Sequence, residues 1–319
     1  MANIKRANTS GITKTGSAVP DVPDAPTIGT ATNVGTSRAY NNGSATVAFT
    51  APVTGGTPTS YTATSSPGGF TGTGSSPITV TGLQSNTAYT FTVTGTNATA
   101  TGPASSASGS ITATTVPQAP TIGTATDSGS GRAYNNGSAS VTFTAGATGG
   151  SSITGYTVTS SPGSLTGTGA SSPITVTGLT SATAYTYTVT ATNANGTSSA
   201  SSASSSVTAT TVPQAPTIGT ATAGSGSASV TFTAGATGGS SITGYTVTSS
   251  PGSLTGTGAS SPITVSGLTN GTAYTFTVTA TNANGTSAAS SASNSITPIG
   301  YFIEEMYNAS SSLYSPKSI

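Results

Sequence analysis

The chain has no cysteine, no histidine and no tryptophan, and its 319 residues include only six bases and five acids. Disulfides, thiolate chemistry and imidazole ligands are therefore excluded. The acids are Asp21, Asp24, Asp127, Glu304 and Glu305; the bases are Lys5, Arg6, Lys14, Arg38, Arg132 and Lys317. No charged residue lies between Val212 and Pro298. Hydrolytic and transfer chemistry needs a positioned acid, base or metal, and a Ser or Thr nucleophile needs a base beside it. Hydroxyls abound here, but the groups to activate them are missing. The sequence therefore reads as a non-enzyme with no cofactor, catalytic or metal site.

A formal net charge of +1 lacks the basic footprint of a nucleic-acid binder. No apolar run approaches the ~20 residues of a membrane-spanning helix. Met1-Ala2-Asn3-Ile4-Lys5-Arg6 has no apolar core of the kind a secretory signal carries. Export by another route, or release inside a particle by lysis, is the expectation that follows. The 42 glycines and 18 prolines make less than a fifth of the chain. That is below the roughly one quarter at which low complexity becomes the default.

What is present is strict alternation. From Leu179 to Asn193, Tyr185, Tyr187, Val189 and Ala191 fall on one side and Thr186, Thr188, Thr190 and Thr192 on the other. That is the period of a strand with one buried face. The phrase recurs from Leu83 to Asn97 and from Leu268 to Asn282. A second phrase, Val-Pro-(Asp/Gln)-Ala-Pro, starts at Val22, Val116 and Val212, spaced by 94 and 96 residues. A period of that length is a small domain rather than a solenoid coil. Residues 22–115, 116–211 and 212–298 are thus three copies of one β module, with an arm at 1–21 and a tail at 299–319. The short Thr-Val-Pro connections leave no long linker, so adjacent modules are expected to abut as a rod.

In the second copy, Ala139 to Thr144, Ile153 to Thr159, Leu165 to Gly169, Pro173 to Leu179, the organising strand and Ala203 to Thr211 all read as strands, with another around Ile122. Gly149-Gly150, Ser161-Pro162-Gly163 and Asn193-Ala194-Asn195-Gly196 read as turns. Short strands with frequent turns predict an all-β sandwich.

The first two copies carry an insert that the third lacks: Ser37-Arg38-Ala39-Tyr40-Asn41-Asn42-Gly43 and Gly131-Arg132-Ala133-Tyr134-Asn135-Asn136-Gly137. Arg38, Tyr40, Arg132 and Tyr134 are candidate contacts to a neighbouring subunit or surface, where Tyr and Arg are favoured; a decorated hairpin loop is the other reading. In the tail, Phe302, Ile303, Met306 and Tyr307 would share one face of a short helix, too short to fold unless a partner or the flank of the third copy covers it; with Tyr301 they are candidate partner contacts.

The pattern Leu, five residues, Tyr, then alternating Tyr/Phe, Val and Ala/Gly up to Asn resembles fibronectin type III domains. The resemblance covers about Val22 to Pro298. It implies corner tyrosines at Tyr89, Tyr185 and Tyr274 and core leucines at Leu83, Leu179 and Leu268. Phe49, Phe143 and Phe232 stand where the family usually has Trp. The Thr-rich, near-identical tandem copies are similar to the fibronectin type III cassettes of tailed-bacteriophage structural proteins. That likeness implies a virion structural protein, multimeric in the assembly and docked on other capsid or tail proteins through arm or tail. It projects as a decoration, attachment or fibre component and contacts the host cell surface. The alternative is a secreted bacterial spacer or adhesin module at the cell surface, binding glycans or proteins.

Overall fold

The computed structural model describes residues 21–300. The arm up to residue 20 and the tail from 301, with Tyr301, Phe302, Ile303, Met306 and Tyr307, lie outside the described residues. Within them the chain is all-β: sandwiches in tandem, each closing over its own apolar layer.

The first sandwich runs β1 (Thr27–Val34), β2 (Gly43–Thr50), β3 (Ser60–Ser66), β4 (Thr71–Thr73), β5 (Ile78–Leu83), β6 (Thr87–Thr96) and β7 (Ile111–Ala113). Strands pair in the orders β1-β2-β5 and β4-β3-β6-β7, all antiparallel. Alternate residues of the facing strands meet between the sheets, because successive side chains of a strand point to opposite faces. Val47, Phe49, Ile78, Val80, Leu83, Tyr89, Phe91 and Val93 form this core. The Phe49 ring lies 4.7 Å from that of Tyr61, centroid to centroid.

The pattern repeats. In the second sandwich Thr121–Asp127, Gly137–Thr144 and Ile174–Leu179 make one sheet; Thr166–Gly169, Ile153–Ser161, Ala184–Asn193 and two short pieces make the other. In the third, Thr217–Gly224, Ser227–Thr233 and Ile263–Ser266 face Thr255–Gly258, Gly244–Ser250, Thr275–Asn282 and Gly285–Thr286. Phe143 and Phe232 meet Tyr156 and Tyr245 at the same 4.7 Å, their rings tilted by 48° and 47°. Leu83, Tyr89, Leu179, Tyr185, Leu268 and Tyr274 are buried, as are Phe49, Phe143 and Phe232.

The corner geometry is local. Thr177 and Leu179 are separated by a register shift against the neighbouring strand. Gly178 sits in it at φ +78, a conformation open to glycine without strain. Leu179 thereby turns inward, and the Tyr185 hydroxyl accepts the Thr180 N–H at 3.0 Å. Tyr89 and Tyr274 do the same for Gln84 and Thr269.

One expected strand is largely replaced. Of Ala203 to Thr211, only Val207–Thr208 is extended. The preceding stretch pairs through serine. Tyr187, Val189 and Ala191 donate their N–H groups to the hydroxyls of Ser204, Ser201 and Ser198 at 3.0 Å each. The same serines return their N–H groups to the carbonyls of those three residues. Three residues here face two on the strand. That is a rise of about 2.2 Å per residue against the ~3.3 Å of a strand, so no extended segment forms. Each hydroxyl in turn donates to the next carbonyl, as Ser204 does to Ser205 at 2.8 Å. Ser105 and Ser108 in the first sandwich and Ser287, Ser290 and Ser293 in the third do likewise.

The described chain gathers into two compact units whose limits do not follow the repeats. One holds everything up to Ala119 with Gly146–Thr154 and Ala191–Ser199; the other holds Pro120–Ala145, Gly155–Thr190 and the chain from Ala200 onward. The turns that begin the second sandwich thus belong with the first, and each unit contains one complete joint between successive repeats.

Candidate functional site

A cluster of hydrogen bonds outside the sheets forms the joint, and the insert builds one side of it. Its own sandwich fixes it first. The Asn41 N–H donates to Ser85 Oγ at 2.9 Å, and the Ser85 N–H donates to Asn41 Oδ1 at 3.1 Å. Asn41 takes φ +58, the left-handed conformation that Asn tolerates better than most residues. The Arg38 guanidinium turns back on the loop, donating to the Asn42 carbonyl at 2.9 Å and to Asn42 Oδ1 at 3.4 Å. Arg38 and Tyr40 are half-buried.

The braced loop then meets the next repeat. The Val116 N–H donates to the Arg38 carbonyl at 3.0 Å, and the Ser37 N–H donates to the Asn195 carbonyl at 2.7 Å. Behind them Asn193 Nδ2 donates to the carbonyls of Thr115 and Thr148 at 2.9 and 2.8 Å. Asn195 Nδ2 reaches the same Thr115 carbonyl at 3.1 Å. The Thr115 side chain, wholly buried, meets Ser85 Oγ at 2.6 Å. A Cβ on Gly35 would sit 2.2 Å from Thr114 Oγ1 and 2.6 Å from Asn195 Oδ1, so only glycine fits at this closest approach.

The second joint copies the first. Val212 N–H donates to the Arg132 carbonyl at 3.0 Å and Gly131 N–H to the Asn284 carbonyl at 2.8 Å. Arg132 braces Asn136 at 2.9 and 3.2 Å; Asn282 and Asn284 converge on the Thr211 carbonyl at 2.8 and 3.2 Å. One position differs in chemistry. In the first joint Asn33 Nδ2 donates to Thr114 Oγ1 at 2.7 Å, which leaves that hydroxyl's proton for Asn195 Oδ1 at 3.3 Å. In the second, Asp127 can only accept, and the Thr210 hydroxyl and N–H both donate to it.

The sequence of the second and third repeats, residues 129–208 and 212–296, matches the family described as Fibronectin type III domain, more than half of the chain. The chain belongs to the fibronectin type III family. The crystal structure of chicken CNTN1 FN1-FN3 domains is similar to it at 17% identity, covering 87% of this chain and 99% of that one with a TM-score of 0.30. No curated protein matches the chain.

The four insert residues singled out in sequence therefore sit at intrachain joints of a fibronectin type III array, Arg38 and Arg132 as braces and Tyr40 and Tyr134 half-buried beside them. Sequence reasoning saw the insert but not its partner, the Asn-Ala-Asn-Gly turn. The signal was there: the insert marks repeats one and two, the turn repeats two and three.

Among the described residues, no group of three or more His, Cys, Asp or Glu side chains could hold a metal ion. Among the same described residues, no helix is long and apolar enough to cross a membrane. An open groove in the third repeat, lined by Thr243, Tyr245, Thr246, Thr257 and Thr281, offers hydroxyls and peptide groups but no acid or base. In that groove tyrosine is the one side chain with a titratable proton. Burial pushes the Tyr187 hydroxyl up to about 12, helped by Tyr185 and Asp127 nearby. That hydroxyl is buried without a hydrogen-bond partner, at the depth where the other repeats place Phe91 and Phe276.

Proposed function

We propose that this fibronectin type III chain is a non-catalytic structural protein of a tailed-bacteriophage virion. It projects from capsid or tail as a decoration, attachment or fibre component. The observation that carries the reading is the joint. The insert's backbone, the receiving turn's asparagines and the buried threonine all hold one repeat against the next, which suits a spacing element rather than a ligand site. The arm and the tail dock the chain to other particle proteins, the tail through Tyr301, Phe302, Ile303, Met306 and Tyr307. The repeats then stand clear to meet a host surface. Near-identical copies and hydroxyl-based solubility fit a protein displayed in many copies.

The test is made on purified particles. Mass spectrometry identifies their proteins, and electron microscopy locates this one. Full-length chain is compared with versions lacking residues 1–20 or 299–319. Presence on the particle, with release by one truncation, supports the reading and identifies the docking end. Absence from particles, with the chain found free or on bacterial surfaces, overturns it in favour of a secreted spacer or adhesin.

A further inference from the structure

The two halves of the joint are distributed in a way the sandwich itself does not require. The third repeat closes the insert's hairpin with Gly224-Ser225-Gly226-Ser227, whose end residues pair directly. The first repeat replaces the receiving turn with Asn97-Ala98-Thr99-Ala100, and its Asn97 still reaches back to the Asp21 carbonyl at 2.7 Å. So a sandwich forms without the insert and without the Asn-Ala-Asn-Gly turn. The second repeat alone carries both.

The halves are complementary in donors and acceptors. The insert presents a carbonyl and an N–H on adjacent residues, Arg38 and Ser37; the receiving side answers with the Val116 N–H and the Asn195 carbonyl. Gly196 completes the seat, since a Cβ there would meet Val116 Cγ1 at 3.2 Å. The result is visible in burial: Val116 and Val212 are each 8% exposed, whereas Val22, which begins the first repeat in the same way, is 42% exposed.

We propose that insert and turn form a transferable head-to-tail joint. The leading end of a repeat bearing Asn-Ala-Asn-Gly is a docking surface whose partner is the Arg-Ala-Tyr-Asn-Asn-Gly loop of another repeat of this kind. The joint sets the order of repeats: a turn-bearing repeat follows only an insert-bearing one. A domain placed before the first repeat or after the third would not be held by it.

The test uses the full chain and sequences it already folds with. One variant carries N195T with G196A, which copies the first repeat's turn. A second replaces residues 35–43 by Ser-Gly, which copies the third repeat's hairpin. A third combines both. Hydrogen exchange is read at the Val116 and Val212 amides and at the Leu179 amide in the second core. Each single change is expected to speed exchange at Val116 at least tenfold and leave Val212 and Leu179 unchanged. The combined variant is expected to be no faster than the singles, because the two sides act as one unit. Unchanged Val116, or effects that multiply in the combined variant, would overturn the proposal.

A gain-of-joint variant decides the matter even if a swap disturbs the second core. An extra copy of 116–211 placed between the second and third repeats should show a new valine amide as protected as Val116 and Val212. An extra copy of 212–298 in the same place should be protected at its start, while the repeat after it loses protection at Val212. Equal protection after both insertions, or after neither, rejects a joint encoded by these two segments.

Discussion

The Arg38 carbonyl takes the Val116 amide, and the Arg38 side chain meanwhile bends back to hold the loop that positions that carbonyl. Recognition and bracing thus reside in one residue on different groups. Replacing Arg38 by Ala keeps the carbonyl but frees the loop. The expected outcome is a joint weaker by about 1 kcal/mol, the worth of a typical net hydrogen bond, read as faster Val116 exchange with the first core intact. Arg38→Lys should not restore it, because an ammonium cannot reproduce the two-pronged geometry of a guanidinium.

Asn193 is the polar hub of the receiving turn. Buried to 4% exposure, it donates to the Thr115 and Thr148 carbonyls and accepts the Asn195 N–H at 2.8 Å. Asn193→Ala leaves buried backbone groups short of partners, and the expected loss is about 2–3 kcal/mol. Denaturant unfolding followed through second-repeat reporters checks this. Asn282→Ala should act similarly in the third repeat, where the same contacts recur.

Tyr187 and Tyr185 predict opposite responses to the same change. The Tyr185 hydroxyl satisfies the Thr180 amide, so Tyr185→Phe should cost about 1–2 kcal/mol. The Tyr187 hydroxyl satisfies nothing, and Tyr187→Phe should stabilise the second repeat by about 1 kcal/mol. The pH dependence has a definite sign. The folded state holds the Tyr187 proton more tightly than the unfolded chain, with a pKa of about 12 against 10.0. Its contribution is therefore complete below pH 10 and is lost as pH rises through 10 toward 12, by up to about 2 kcal/mol. Stability curves measured across that window should fall less steeply for Tyr187→Phe. An identical fall in both proteins would contradict the assignment.

Ser204 substitutes for a strand neighbour. Its hydroxyl accepts the Tyr187 N–H at 3.0 Å, so Ser204→Ala should leave that amide unpaired and cost about 1–3 kcal/mol. Ser202, exposed in the same segment, should tolerate Ala within about 0.5 kcal/mol. Thermal unfolding of the two variants, side by side, separates a hydrogen-bonding role from a general effect of serine content.

Much of the fold was readable because burial follows alternation. Tyr185, Tyr187, Val189 and Ala191 announce an inward face, and the resemblance to fibronectin type III domains implies the corner at Leu179 and Tyr185. The strand expected from Ala203 to Thr211 is mostly absent because the serine run leading into it has a period of three rather than two. Ser198, Ser201 and Ser204 look like filler unless their spacing of three is set against the spacing of two in Tyr187, Val189 and Ala191 on the neighbouring strand. The joint was half readable. Arg38 and Tyr40 stand out in a nearly uncharged module, as candidate contacts or as a decorated hairpin loop. In the structure the loop's backbone meets Val116 and Asn195, which read in sequence as a repeat start and an ordinary turn. Backbone-to-backbone recognition leaves little mark in side-chain composition: the Val116 and Ser37 amides would exist whatever residues stood there. Only the close-approach glycine at 35 and the matched presence of loop and turn betray it.

The serine-held edge bears on crowding. Proteins commonly deter edge-to-edge growth with lysines, and the third repeat has no charge of either sign. Its margin instead runs at three residues to two, with the backbone contracted and the hydroxyls turned onto their own chain. An incoming strand finds no row of amides at its own spacing, so it cannot lock into register. Such an edge is refused by geometry rather than by repulsion. Salt, which weakens charge repulsion, leaves the refusal at this edge intact.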